Sequence, residues 1–405
     1  MEKTGLRRSC YRLFCFCRRI HTVRLFIALL AVGELAFFVA VMLGGEDAFL
    51  AVFFRRCADQ HMDFFHSLRD AAQGAAVYSE RRVIYPPLAN ALLWLISRAL
   101  PDYYLQTGKE TGILLWRHVP AAMLAYLFFA VFGLVMLSLL IQGEPHKKGE
   151  RTILALLLPC SLPLLFMLER GNIVLLALLP LLLYMRFYEE DNPVRREIGL
   201  LALALSAALK LYPAIFGLSL LRDRRYADAL RAALYALLLF VIPSLFFGGP
   251  FFCGYWLIKN TLSYSGQTGA NAVGMVTALG GSVALGRALL LTAYLLLFIF
   301  VAVYTLAEPA LWRRFAVAGA SLLTLSSVFS VYNWVLLLPA LLLLLRKERL
   351  TGDEILHFLA LSLPFALFLP KVWQDHVLIV LLATMLLLAC LRLIFLLKRG
   401  TVHRL

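Results

Sequence analysis

Apolar segments recur along almost the whole chain, at residues 25–43, 84–100, 113–141, 152–168, 172–188, 197–221, 229–247, 285–306, 315–332, 334–345, 354–370 and 376–397. Short basic clusters separate many of them: Lys147, Lys148 and Arg151; Arg186, Arg195 and Arg196; Arg222, Arg224 and Arg225; Arg313 and Arg314; Arg346, Lys347 and Arg349; Lys398 and Arg399. Lipid offers no hydrogen-bond partner to an open backbone, so apolar runs of this length enter a bilayer as helices. The pattern predicts an all-α polytopic membrane protein, a bundle of roughly 10–13 transmembrane or re-entrant helices. Composition excludes a water-soluble fold, because 62% of the 405 residues are hydrophobic and only 16% charged.

The formal net charge of +15 would suit nucleic acid, but the bases sit between apolar runs, as the positive-inside rule requires of cytosolic loops. No nucleic-acid partner is expected. Residues 1–24 form a basic cytosolic arm with seven Lys or Arg and one Glu, and the run that follows reads as a signal anchor. Residues 25–405 then make one integral-membrane domain, multi-pass in the plasma membrane, with long extracytoplasmic loops at 44–84 and 249–284. The seven cysteines show no metal spacing, and no Walker loop, nucleophile elbow or dinucleotide fingerprint occurs. No cofactor is expected.

Two runs do not read as simple crossings. Segment 84–100 is short and begins at a double proline, which predicts a re-entrant or strongly tilted helix. Segment 197–221 is interrupted by "KLYP" (Lys210 to Pro213) and has basic clusters at both ends, which predicts two half-helices meeting inside the membrane.

Function then falls to the loops and to the polar groups the helices show them. Asp63, His66, Ser67 and Asp70 recur at helical spacing, with Phe64, Leu68, Ala71 and Ala75 on the other side. That pattern fits a carboxylate-bearing face turned to a cavity, or equally a solvated amphipathic surface helix. "LERGN" sets Glu169, Arg170 and Asn172 at one outer turn, and "SVYNW" sets Tyr332 and Asn333 at another. Lys210 stands at the membrane-embedded break, where an ionisable group is costly and usually functional or paired; its plainer readings are a snorkelling lysine or a pair with Glu169. His61, Asp63 and His66 do not have the spacing of a metal site. Arginines and a lysine beside a carboxylate suit an anionic lipid-linked substrate, with Arg170, Lys210, Arg81 or Arg82 on its phosphate and Asp63 taking a proton. Tyr255, Trp256 and Tyr264 in the second loop can stack on sugar rings or anchor at the interface.

In order, "D-F" at Asp63, "YPPL" from Tyr85, "RGN" at Arg170, "K-x-x-P" from Lys210 and the aromatic turn before "LLLP" resemble glycosyltransferase family 87. These are membrane transferases of the C superfamily (GT-C), typified by polyprenol-phosphate-mannose-dependent mannosyltransferases. The resemblance covers roughly residues 25–345. It implies Asp63 as general base, an inverting transfer, and substrate contacts from Tyr85, Glu169, Arg170, Asn172, Lys210, Tyr332 and Asn333. "GANAVG" is similar to the family's "N-x-S-x-x-G", which adds Asn271, with Val273 in the serine's place. One departure stands out: Tyr332 and Asn333 occupy a turn where the family commonly has one or two histidines. The expectation is a hexosyltransferase moving a mannose-like sugar from polyprenyl phosphate to a lipid or envelope-glycan acceptor at the extracytoplasmic face. The alternative is a transporter or flippase for a lipid-linked or anionic solute.

Overall fold

A computed structural model describes residues 21–53, 61–101, 105, 119–264, 279–325 and 330–398, and among these every regular element is helical. The first part of the chain forms α1 (Thr22–Val52), α2 (Met62–Ala71), the single turn α3 (Ala76–Ser79) and α4 (Pro87–Ser97). Next come α5 (Pro120–Gln142), α6 (Lys148–Leu157), α7 (Leu162–Arg170), α8 (Val174–Phe187), α9 (Pro193–Leu209), α10 (Leu218–Arg222) and α11 (Tyr226–Ser244). The chain ends with α12 (Pro250–Tyr264), α13 (Val283–Ala307), α14 (Leu311–Leu325), α15 (Leu338–Leu345), α16 (Glu354–Ala366) and α17 (Lys371–Lys398). Tighter 3-10 turns, Tyr212–Gly217 and Val331–Leu337, lead into α10 and α15.

Helices α1, α5, α11, α13 and α17 are long and apolar enough to cross a membrane, and α6 with α7 makes a sixth, bent by 49°. Most of their exposed side chains are apolar, Phe128 being 72% exposed, as a lipid-facing surface requires. The chain is an all-α polytopic membrane protein.

Two elements depart from the apolar runs. The sequence ends the first span at residue 43, whereas α1 continues to Val52 across a break at Gly45. The Phe49 ring lies 6.4 Å from that of Phe37, and the Phe53 ring 5.9 Å. In a straight helix those residues would be separated by about 18 and 24 Å along the axis. The chain therefore folds back at Gly45, whose φ of +59° with ψ of −144° is open to glycine alone. The second departure is the run at 152–168, which divides at "PCSLP": Pro159 and Pro163 each lack the N–H a continuous ladder needs.

Ion pairs gather at one end of the bundle. Arg24 meets Glu150, Arg346 meets Glu144, Arg313 meets Asp353, Arg392 meets Glu308 and Arg314 meets Asp223. Asp228, fully buried, is held by Arg196, Arg225 and Arg231. This basic end fixes the course of three hairpins. The first runs out through α6 and α7 and back along α8 to Tyr188, which donates to Asp223. The second leaves at Arg196, reaches Lys210 along α9, and returns through the 3-10 turn and α10 to Asp223. The third leaves at Arg313 and Arg314 on α14 and returns through Val331–Leu337 and α15 to Arg346. The seventeen residues of α9 place its tip about 25 Å from the basic end. "KLYP" thus divides a re-entrant hairpin, as its flanking charges require.

Candidate active site

The three hairpin tips meet under α2 and the 81–86 loop around a cavity of about 630 Å³. Its wall carries Arg170 and Asn172 from the first tip, Lys210, Leu211 and Tyr212 from the second, and Tyr332 and Asn333 from the third. Asp63, His66, Ser67 and Asp70 face it from α2, while Phe64, Phe65, Leu68 and Ala71 are buried in the core behind. The helical spacing read from the sequence is therefore the spacing of the cavity wall. Its apolar side packs on protein rather than lipid, and α2 ends at Ala71, before Ala75. Arg81, Arg82, Tyr85 and Thr261 complete the polar lining.

"RGN" does three jobs in three residues. Gly171, at φ +65°, ends α7 with its N–H on the Leu168 carbonyl, while the Asn172 N–H bonds Met167, the paired bonds of a Schellman cap. The Asn172 side chain then accepts from the Val174 N–H at 3.0 Å, which caps α8. That bond leaves its Nδ2 to donate to Oδ2 of Asp63 at 2.7 Å, and Arg170 bonds Oδ1. A Cβ on Gly171 would lie 2.7 Å from Cβ of Phe64, so only glycine lets α2 come this close. Gly171→Ala is expected to destabilise the protein by about 2 kcal/mol or more, from left-handed strain plus the clash. Thermal unfolding in detergent checks this, with loss of activity accompanying the displacement of Asp63.

The second wall is held by buried amides. Asn90 Nδ2 donates to the Tyr78 hydroxyl at 2.9 Å and the Tyr85 carbonyl at 3.1 Å, and the Tyr78 hydroxyl donates to that same carbonyl. From α12, Asn260 Nδ2 reaches the carbonyls of Tyr78 and Val83. Between these clamps Arg82 is kept at φ +57°, a conformation that costs an L-residue about 1–2 kcal/mol. Tyr85 is thereby brought over Lys210, whose Nζ lies 4.8 Å from that ring and 5.6 Å from the ring of Tyr212.

The charges divide unequally. Asp63 pairs with Arg170; Asp70 pairs with Arg69 and lies 4.0 Å from Arg81. Lys210 and Arg82 have no carboxylate within ion-pair distance among the described residues. The lysine is not paired with Glu169. Two cations without an ion-pair partner among the described residues, beside a carboxylate held at both oxygens, have the chemistry to bind an anion next to a group that can take a proton.

Of the residues expected from the sequence, Asp63, Arg81, Arg82, Tyr85, Arg170, Asn172, Lys210, Tyr332 and Asn333 share this one cavity. Glu169 does not line it. Asn271 lies outside the described residues. Tyr255 is 60% exposed and Trp256 packs beside a small cluster of Val77, Tyr78, Phe247, Cys253 and Leu257, so neither closes over the cavity. The sequence reading missed Thr261 and the stacking of Tyr212 on the lysine. Tyr212 was visible inside "KLYP"; Thr261, in an apolar helix, carried no signal.

The model of glycosyltransferase family 87 matches residues 83–339, more than half of the chain. That span holds all three hairpin tips and Tyr85; α2, Arg81 and Arg82 precede it. No curated protein and no solved structure matches the chain. The chain belongs to glycosyltransferase family 87.

Proposed function

We propose that this member of family 87, a membrane glycosyltransferase, moves a mannose-like hexose from a polyprenyl-phosphate donor to a hydroxyl of a lipid or envelope glycan. The observation that supports the reading is that Lys210 and Arg82, neither within ion-pair distance of a carboxylate among the described residues, line one cavity with Asp63. A sugar phosphodiester enters with one negative charge and leaves as a monoester with two. Cations already in place gain most from the charge that develops in the transition state. The acceptor oxygen attacks C1 of the sugar from the side opposite the phosphate. The C1–O bond breaks with its electron pair going to the phosphate, the hydroxyl proton passes to Asp63, and the configuration at C1 inverts. The prenyl chain lies between helices in a GT-C-type bundle.

The basic clusters support an ion-paired end and N-terminus in the cytosol by the positive-inside rule, and with them a cavity open to the extracytoplasmic side of the plasma membrane. A cysteine at Gly44, beside the fold-back of α1, in a background with the seven native cysteines replaced, is expected to react with an impermeant maleimide from outside intact cells. Reaction only after the cytosolic face is opened would reverse the orientation.

Transfer itself is tested in proteoliposomes given labelled polyprenyl-phosphate mannose and an envelope lipid extract. Label appearing in a glycosylated acceptor is the expected result. A panel of polyprenyl-phosphate sugars giving no transfer, while the protein moves labelled lipid between leaflets, would replace the donor reading with transport.

A further inference from the structure

Asp70 lines the cavity on the same face of α2 as Asp63, two turns along, yet takes no part in the reaction as described. Its carboxylate is only half engaged. Nε and Nη2 of Arg69 both donate to Oδ1, at 3.2 and 3.1 Å, and Arg81 lies 4.0 Å from that same oxygen, too far for a hydrogen bond. Oδ2 has no hydrogen-bond partner among the described residues and is not closed off from solvent, whereas both oxygens of Asp63 are taken. Ser67, one turn before it on the same wall, donates its own proton to the Asp63 carbonyl at 2.5 Å and so shows the cavity only lone pairs. This stretch of wall therefore offers acceptors beside one guanidinium. The carboxylate repels a phosphate there. It does not repel a hydroxyl, which brings its own proton and can accept from Arg81 while donating to Asp70.

We propose that Asp70 and Arg81 form a sugar-recognition point of the site: one hydroxyl of a substrate sugar donates to Oδ2 of Asp70 and accepts from the Arg81 guanidinium. This rests on the reading of the cavity as the place of sugar transfer. Asp63 and Asp70 stand about 10 Å apart along the helix axis, a gap that a pyranose ring spans with a hydrogen bond at either end. The hydroxyl belongs to the hexose being transferred or to the sugar that receives it, and the two bring the same chemistry. Lys210 and Arg82 are left to the phosphate, and Arg81 has a task separate from theirs.

Asp70→Asn keeps an oxygen for Arg69 and sets an NH2, a donor, where Oδ2 stood, so the hydroxyl's proton loses its acceptor. Loss of a hydrogen bond to a charged group is expected to lower kcat/KM by about 10–10²-fold, mostly through KM, with thermal unfolding close to wild type. A carboxylate that only held α2 in place would not single out one hydroxyl. Transfer is therefore measured with polyprenyl-phosphate mannose and its monodeoxy forms, with an envelope lipid extract as acceptor, and again with monodeoxy methyl mannosides competing against that extract. In wild type, removal of one hydroxyl should cost about as much as the substitution itself, and in Asp70→Asn the same removal should cost little more. Such a position in the donor series assigns the hydroxyl to the transferred hexose; one in the methyl mannoside series assigns it to the acceptor. Equal deoxy penalties in both enzymes at every position would overturn the proposal. Should wild type transfer no sugar from any donor, the polyprenyl-phosphate reading fails, and saturation-transfer NMR of methyl mannoside decides Asp70 without turnover. A signal lost in Asp70→Asn and kept in Glu190→Gln retains the sugar contact, and any other pattern ends it.

Discussion

Asp63→Asn is expected to lower sugar transfer by about 10²–10⁴-fold while the protein still folds, because the amide keeps the shape of the side chain but cannot take a proton. The effect should appear in kcat, since an interaction that matters only as the hydroxyl loses its proton contributes little to ground-state binding. Some stability is lost as well. Arg170 gives up its carboxylate partner across the α2–α7 contact, and the melting temperature should fall modestly. Glu190→Gln, at the exposed basic end, serves as the control and should leave the rate unchanged. The assay is initial-rate transfer in proteoliposomes at matched protein content. A rate for Asp63→Asn close to wild type would move the base to another group and remove the role given to α2.

The second large effect is expected at Lys210. Lys210→Met keeps most of the length and fits between the rings of Tyr85 and Tyr212, but it removes the charge proposed to hold the donor's phosphate. Loss of one preorganised cation at a developing charge costs on the order of 10²–10³-fold in rate. Donor binding should weaken less than kcat falls, because the phosphodiester carries one charge and the departing phosphate two. Lys210→Arg keeps the charge and stacks on aromatic faces, so it should recover part of the loss. Donor titration of initial rates separates the two parameters. If Lys210→Met raised KM with kcat unchanged, the lysine would serve donor capture alone. An unaffected enzyme would make Lys210 a structural plug between two tyrosines.

Much of this was readable along the chain. Bilayer insertion follows from composition and from apolar run length, which act locally, so the all-α membrane class needed no tertiary information. The re-entrant hairpin was legible because "KLYP" breaks a helix and equal basic flanks return it to one side. The cavity face of α2 was legible because Asp63, His66, Ser67 and Asp70 share one side of any helix. By contrast, the fold-back at Gly45 rests on Phe37 meeting Phe49 and Phe53, a long-range contact with no local signature. Glu169 and Arg170 are neighbours in sequence, and only the curl of α7 under α2 decides that one lines the cavity and the other does not.

Composition and run length establish that the chain lies in a membrane, which end collects its bases, and which polar residues stand among apolar ones. Tertiary structure alone decided which of those residues meet. Asp63 is engaged by Arg170 and Asn172 and Asp70 by Arg69, while Lys210 and Arg82 have no carboxylate within ion-pair distance among the described residues. The reason is physical: hydropathy and helical period act over neighbouring residues. Asp70 finds Arg69 beside it in the chain, but the partners of Asp63 lie more than a hundred residues away, and only packing brings them within a few ångströms.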